Sequence, residues 1–317
     1  MRADHRAQTL LLRGVAGALR FTPRPLALAG GAALGTLLRL VGVRRAVAME
    51  NLERAFPGHD DTWRRSVLAA HYRELGRVAA DYARMPELVR APREQVFAPW
   101  IGEEHIHAAR ARGKGVLFVT GHFGHFELLG AVVGQMMPMA VMVKPLSNPG
   151  ADDWLWKLRS SVGVEQLPIG AGVRGALKRL RAGGAVAMLA DQDARRDGVF
   201  VPFFGTPAST PTGPAWLSLA SGAPLVFGTC LRGPAGRYEA RFLPPILPVG
   251  EAGDAQAVYE LTRRHTALLE HAICERPEAW FWLHKRWKTA PRARGESAFD
   301  DPPPSEPLLA PDEEEAH

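Results

Sequence analysis

The sequence predicts an α/β fold: one domain with a central, mostly β sheet flanked by helices, joined to an N-terminal membrane-associated helix. Three observations predict it. Short apolar runs, Val116–Thr120, Ala140–Val143 and Gly184–Ala190, are each followed by turn residues and then by helical periodicity. That is the pattern of buried strands alternating with helices. The chain's 317 residues suffice for one large domain with appendages. The first forty residues combine arginines with uncharged apolar runs. The expected boundaries are a membrane-anchoring segment at 1–43, a folded domain at 44–294 and a disordered acidic tail at 295–317.

Taken in order, residues 2–22 read as a basic amphipathic helix. Arg6, Arg13 and Arg20 recur every seven residues, which keeps them on nearly one face. Arg24-Pro25 breaks it, and a charge-free stretch, Leu26–Leu38, follows. That stretch falls short of the roughly 20 residues that cross a bilayer, although Arg24 and Arg39 could snorkel and extend it. Two readings stand: an anchor that dips into or marginally spans a membrane, or a helix packed on the domain. Residues 44–92 read as helical, with a turn at Phe56-Pro57-Gly58 and a cap at Asp60 or Asp61. Beyond the first strand, Asp152 or Asp153 is expected to start a helix carrying Arg159, and Gly172–Ala182 reads as a basic helix. Phe200–Phe204 is expected as an apolar loop, either lining a tunnel or packed in the core. Thr210 or Thr212 is expected as a hydroxyl cap ahead of Pro214. Leu225–Leu231 and Tyr238–Leu243 read as paired strands, and Asp254 as the cap of a long helix that Pro277 closes. Trp280, Trp282 and Trp287 among His284, Lys285, Arg286 and Lys288 fit either a membrane interface or a core-packed end.

The stretch from Val116 to Gly130 organises the rest. Gly121 and Gly124 break a strand, and helical spacing begins at Phe126. His122 therefore lies on the strand-to-helix turn and Glu127 in the first helical turn. On a continuous helix, residues five apart point about 140° from each other. The intervening turn can fold the carboxylate back onto the imidazole. A carboxylate on one ring nitrogen fixes the tautomer and stabilises the imidazolium, leaving the other nitrogen free to take a proton from a hydroxyl. No Ser or Cys stands at a nucleophile elbow, so such a pair activates a bound alcohol directly. A metal site remains a competing reading, since His122, His125 and Glu127 form H-x-x-H-x-E, but no further ligand pair has metal spacing. Lys144 and Asp191 stand at the carboxyl ends of strands, where open α/β sheets bind ligands. Lys144 suits a phosphate or is an ordinary solvated lysine. Asp191 either orients an acceptor or caps its loop. Arg159 is a candidate for clamping phosphate or steadying an oxyanion.

The chain carries a net charge of +6, and the tail from Asp300 holds seven acids and no Lys or Arg, leaving +13 on the remainder. A body this basic favours anionic partners. No helix-turn-helix, zinc or RNP signature points to nucleic acid. Anionic lipid head groups and an acidic carrier protein fit better, and the basic helix at 172–182 suits docking of such a carrier. The two cysteines, Cys230 and Cys274, have neither metal nor redox spacing. No cleavable signal is visible.

These residues carry a resemblance. His122 and Glu127 resemble the H-x-x-x-x-(D/E) motif of the lysophospholipid acyltransferase superfamily, and Gly121–Glu127 is most similar to the bacterial late acyltransferases of lipid A. Asn51-Leu52 through Phe56-Pro57, Lys144-Pro145 through Asn148-Pro149, Asp191-Gln192, Val201–Gly205 and Trp282–Lys288 match the family in order. The resemblance covers about residues 15–292. His125 departs from it where Asn is expected, and the segment after Asn148 lacks the usual Leu-Asp. The resemblance implies that 44–294 is the acyltransferase domain, with His122 and Glu127 catalytic and Lys144, Arg159, Asp191, Gln192, His284 and Arg286 contacting substrate. It implies no metal or other cofactor, with acyl carrier protein or acyl coenzyme A as donor co-substrate. The implied acceptor is a hydroxyl of a lipid A precursor in lipopolysaccharide biosynthesis, at the cytoplasmic face of the inner membrane. A different membrane lipid as acceptor, or a non-catalytic lipid-binding homologue, are the alternatives.

Overall fold

The computed structural model describes residues 3–233 and 236–291. The expected tail at 295–317 lies outside them. The first part is helical: α1 (Ala3–Phe21), α2 (Arg24–Leu40), α3 (Arg45–Ala55), α4 (Asp61–Ala83), α5 (Met85–Arg90), α6 (Arg93–Val96) and α7 (Glu103–Ala111). Strands and helices then alternate through β1 (Val116–Thr120), α8 (Phe126–Val133), β2 (Met139–Val143), α9 (Pro149–Ser160), β3 (Glu165–Pro168), α10 (Val173–Arg181) and β4 (Ala185–Leu189). The hairpin β5 (Val199–Phe203) and β6 (Thr206–Thr210) follows, then α11 (Gly213–Ser221), β7 (Leu225–Arg232), β8 (Tyr238–Phe242) and α12 (Ala255–Glu275).

The main sheet has the order β3-β2-β4-β1-β7-β8. Its first five strands are parallel and β8 is antiparallel to β7. Successive side chains of β1 face opposite layers. Leu117 and Val119 join a core with Leu180 of α10, Leu217 of α11 and Leu268 of α12. Val116 and Phe118 join the other, with Ile106 of α7 and Leu128 and Val132 of α8. Both faces of the parallel strands are thus covered, which explains their continuous apolar runs.

Several local expectations meet the structure unchanged. Asp60 caps α4, accepting from Trp63 N at 2.7 Å, and Asp254 caps α12, accepting from Gln256 N at 2.9 Å. Others are corrected. Helix α9 starts earlier than Asp152, because Asn148 accepts from Gly150 N at 3.0 Å and Pro149 occupies the first turn. Thr212 lies before α11 without a side-chain cap bond. Phe200–Phe204 is not a loop: Val199–Phe203 pairs with Thr206–Thr210. Phe204 and Gly205 both have positive φ, at 52° and 68°, as a two-residue turn of a twisted hairpin demands. Trp280 and Trp282 are fully buried, so of their two readings the core-packed one holds.

The N-terminal helices lie on the domain. Gly35 of α2 meets α4 so closely that a Cβ there would stand 1.9 Å from the Tyr72 carbonyl oxygen, and one on Gly76 would stand 1.9 Å from that of Gly31. Arg24 fastens the start of α2, donating to Asp81 at 2.8 and 3.0 Å. Among the described residues no single helix is long and apolar enough to cross a membrane. The bent pair α2–α3 passes by composition, but its halves meet at 91° and α3 buries Ala48, Asn51 and Leu52.

Candidate active site

The site forms where β1 and β4 end. These strands are neighbours in register, Thr120 opposite Leu189. Two residues beyond each strand end stand His122 and Asp191, side by side. The turn carrying His122 is held from two directions. Gly124 N donates to Ala279 O at 3.0 Å, His125 N to Cys230 O at 2.8 Å and Phe281 N to His122 O at 3.0 Å. Gly124 has φ 59°, and a Cβ on it would lie 2.2 Å from the Cys230 carbonyl oxygen. Only glycine fits there.

His122 Nδ1 lies 2.8 Å from Asp191 Oδ1. The other oxygen, Oδ2, accepts from the His122 backbone N–H at 2.8 Å and from the Trp280 indole N–H at 2.9 Å. Burial alone pushes the Asp191 carboxyl up, but the charge and hydrogen bonds of His122, with Trp280, reverse that and hold it below the ordinary carboxylate range. Burial pushes the His122 imidazole down; the charge and hydrogen bond of Asp191, aided by the charge of Glu127, outweigh it and raise the pKa above the ordinary value. With Nδ1 committed, Nε2 is the nitrogen left for chemistry. The Gln192 side-chain nitrogen lies 3.4 Å from it.

The expected hydrogen bond from His122 to Glu127 is therefore a correction. Asp191 takes the imidazole, while Glu127 faces Arg159, whose Nε lies 3.1 and 3.0 Å from its two oxygens. The physical reason is the start of α8. His125 is its N-cap, its Nδ1 accepting from Leu128 N at 3.3 Å. That sets Glu127 in the first turn against α9 rather than over the loop. His125 does what an Asn does well at a cap. The residues of H-x-x-H-x-E thus engage three separate partners, and among the described residues no group of three or more His, Cys, Asp or Glu could hold a metal.

The remaining candidates divide. Asp191 and Gln192 reach His122, and Arg159 reaches Glu127. His284 is close: its Nε2 accepts from Asp193 N at 3.0 Å, and burial lowers its pKa. Arg286 is fully buried, donates to the Ser209 carbonyl and the Thr210 hydroxyl, and is not brought to the expected substrate-facing surface. Lys144 is exposed beyond β2, with β4 between that strand and β1, and it lines neither the apolar cleft above His122 nor the cavity beneath α8. Trp280 is a site residue that sequence reasoning misses; no motif marks a tryptophan that hydrogen-bonds a buried carboxylate.

An apolar cleft of about 420 Å³ opens above His122, walled by α1, α2, α4 and α9, with Leu19, Leu34, Leu75 and Trp154 among its lining. A second, narrower cavity of about 80 Å³ runs beneath α8 along the sheet, lined by Phe118, Leu129, Val133 and Met139. Phe126, Glu127 and Arg159 line both. The arrangement can therefore take a proton from a hydroxyl at Nε2 while apolar chains lie on either side of a buried ion pair.

The family model for bacterial lipid A biosynthesis acyltransferases matches residues 2–289. The lipid A biosynthesis lauroyltransferase of Escherichia coli (strain K12) is 31% identical over 281 residues, covering 85% of this chain and 87% of that protein. The lipid A biosynthesis palmitoleoyltransferase of the same organism is 29% identical over 273 residues, with the same coverage. A phosphatidylinositol mannoside acyltransferase of Mycobacterium tuberculosis is 30% identical over 194 residues, covering 59% of this chain and 58% of its own.

Proposed function

The chain belongs to the bacterial lipid A biosynthesis acyltransferase family, and from that premise we propose that it moves a fatty acyl group from a thioester donor to a hydroxyl of a lipid A precursor. The observation that carries the mechanism is the His122 Nδ1–Asp191 contact of 2.8 Å at the floor of an apolar cleft. His122 Nε2 takes the proton of the acceptor hydroxyl. The freed oxygen attacks the thioester carbonyl, forming the ester C–O bond. On collapse the C–S bond breaks, and the thiolate leaves with the proton from the imidazolium. Asp191 stabilises that imidazolium and stays ionised. The Gln192 amide, beside Nε2, is placed to donate to the developing oxyanion.

Glu127 and Arg159 take a different role, a buried ion pair at the junction of cleft and inner cavity. The inner cavity suits the donor's acyl chain and the larger cleft the chains of the acceptor. The donor is acyl carrier protein or acyl coenzyme A; the basic helix α10, with Lys178, Arg179 and Arg181 in its last turn, favours an acidic carrier. The chemistry uses no metal. The domain works at the cytoplasmic face of the inner membrane, where Leu10, Leu11, Phe21, Leu26, Leu37 and Leu40 of α1 and α2, all exposed, enter the lipid beside Arg6, Arg13 and Arg20. The resemblance to phosphatidylinositol mannoside acyltransferases supports a second acceptor class, a glycosylated phosphoinositide.

The test is transfer of labelled acyl groups from acyl carrier protein and from coenzyme A to a tetra-acylated lipid A precursor and to a phosphatidylinositol mannoside. Label is expected in the lipid A precursor. Label only in the mannoside would replace the first reading with the second.

A further inference from the structure

Behind the His122–Asp191 pair lies a cavity of about 10 Å³, lined by Thr120, Asp191, His265, Thr266 and Arg286 among apolar side chains, the Thr266 hydroxyl donating to Thr262 O at 2.8 Å. Among the described residues, three of these hold a buried polar atom that no other protein group hydrogen-bonds: Thr120 Oγ1, His265 Nε2 and Arg286 Nε. Buried polar groups are seldom left unpaired, and three around one small space point to a single ligand. Its chemistry follows from the walls. Asp191 repels an anion and Arg286 a cation. The walls offer an N–H donor on Arg286 and a hydroxyl that both donates and accepts. Asp191 Oδ1 accepts from His122 Nδ1 and keeps a second acceptor site. A neutral molecule that donates and accepts, no larger than one solvent molecule, fits a space of this size.

We propose that this cavity binds one water, which accepts from Arg286 Nε–H, bonds Thr120 Oγ1 and His265 Nε2 and donates to Asp191, making Arg286 a positioning residue for the His122–Asp191 pair. The proposal rests on the reading of His122 as the base. The terminal nitrogens of Arg286 are spent on Ser209 and Thr210 of β6, which leaves Nε as its nitrogen for the cavity. The water carries the field of the guanidinium to the carboxylate. It thereby limits how tightly Asp191 holds a proton on His122 and keeps the imidazole available as a base. The other titratable groups around the pair are Glu127 with Arg159, His284, Asp193 and His265. All are left in place by the variants below.

Two measurements test it together. A high-resolution crystal structure is expected to show one peak within hydrogen-bond distance of Thr120 Oγ1, His265 Nε2 and Arg286 Nε. The pH profile of kcat/KM is expected to keep its shape while its acid midpoint moves up in Thr120→Val by about half a unit, the scale of one hydrogen bond, and further in Arg286→Met. Arg286→Lys, which keeps the charge, is expected to fall between wild type and Arg286→Met. If Arg286→Met does not fold, Thr120→Val, nearly isosteric, decides alone. A dry cavity, or midpoints unchanged while only kcat falls, would overturn the proposal and leave Arg286 a strut for the β5–β6 hairpin. Full activity in His122→Ala would instead overturn the underlying reading.

Discussion

Asp191 keeps its charge at a position with almost no solvent contact because three donors converge on it. Asp191→Asn keeps the size but replaces an acceptor with an amide that can present N–H to Nδ1, selecting the wrong tautomer. In the serine protease triad the equivalent change costs about 10⁴ in kcat, and a loss of about 10²–10⁴ in acyl-transfer rate is expected here. Glu127→Gln has a different signature. It leaves the Arg159 charge unpaired in a site where its side chain is 17% exposed, so a stability loss of about 3 kcal/mol is expected from chemical denaturation. At this scale the sequence is partly legible. His122 stands out because a strand end, two glycines and a helix start surround it. Its partner does not. Glu127 is near in sequence and Asp191 is near in space, and only the pairing of β1 with β4 makes Asp191 the neighbour. Arg286 is hard to place for a related reason: among Lys285, Trp287 and Lys288 nothing in the string distinguishes the one cation that points inward.

At the scale of elements, two contacts decide where the cleft is. Helix α2 crosses α4 through glycines, and Arg24 pairs with Asp81, which also accepts from Arg232 at 3.0 Å and Tyr238 at 2.7 Å. Together they place α2 as a wall of the cleft. Gly35→Leu is expected to force the helices apart, because the Cβ alone overlaps the Tyr72 carbonyl. Overpacking of this kind costs about 1–3 kcal/mol, and here it also opens the cleft. A lower Tm with a raised KM for a long-chain acceptor is the expected pair of results; an unchanged KM would detach α2 from substrate binding. The strands β1, β2 and β4 are readable as apolar runs because both their faces are covered. Strand β3 is not, since Glu165-Gln166-Leu167-Pro168 at the sheet edge has no such run. The hairpin β5–β6 reads as a loop from its dense aromatics and glycine, although Val201 and Phe203 bury while Pro202 does not, the period of a strand.

For the whole molecule, acidity is the sensitive variable. Burial lowers His71 and His125 to about 4 and His265 to about 3. Their ordinary value is about 6.5, so the unfolded chain binds more protons than the folded one below that pH. Stability rises with pH wherever the unfolded state binds more protons. Tm is therefore expected to fall as pH drops from about 6.5 toward 4, and a flat Tm over that window would contradict their neutral burial. The proposed membrane docking also belongs to this scale. Replacing Leu10, Leu11, Leu37 and Leu40 with serine is expected to reduce recovery with anionic vesicles in flotation, with transfer to a detergent-dispersed acceptor preserved. The alternation of the central strands β1, β2 and β4 with helices, and hence the fold class, follows from periodicity. The placement of the first two helices does not, because an apolar stretch too short to span a bilayer reads the same whether lipid or α4 covers it.

The central claim is that His122 acts as the base with Asp191, not Glu127, as its partner. The most direct test is the pH dependence of acyl-transfer kcat/KM for wild type and Asp191→Asn, with circular dichroism to verify folding. In wild type the rate is expected to fall on the acid side with a midpoint above the ordinary histidine value of about 6.5, since Asp191 raises His122. Asp191→Asn is expected to lose about 10²–10⁴ of the rate, with any residual midpoint moved to lower pH. A folded Asp191→Asn enzyme with the wild-type rate and midpoint would contradict the account.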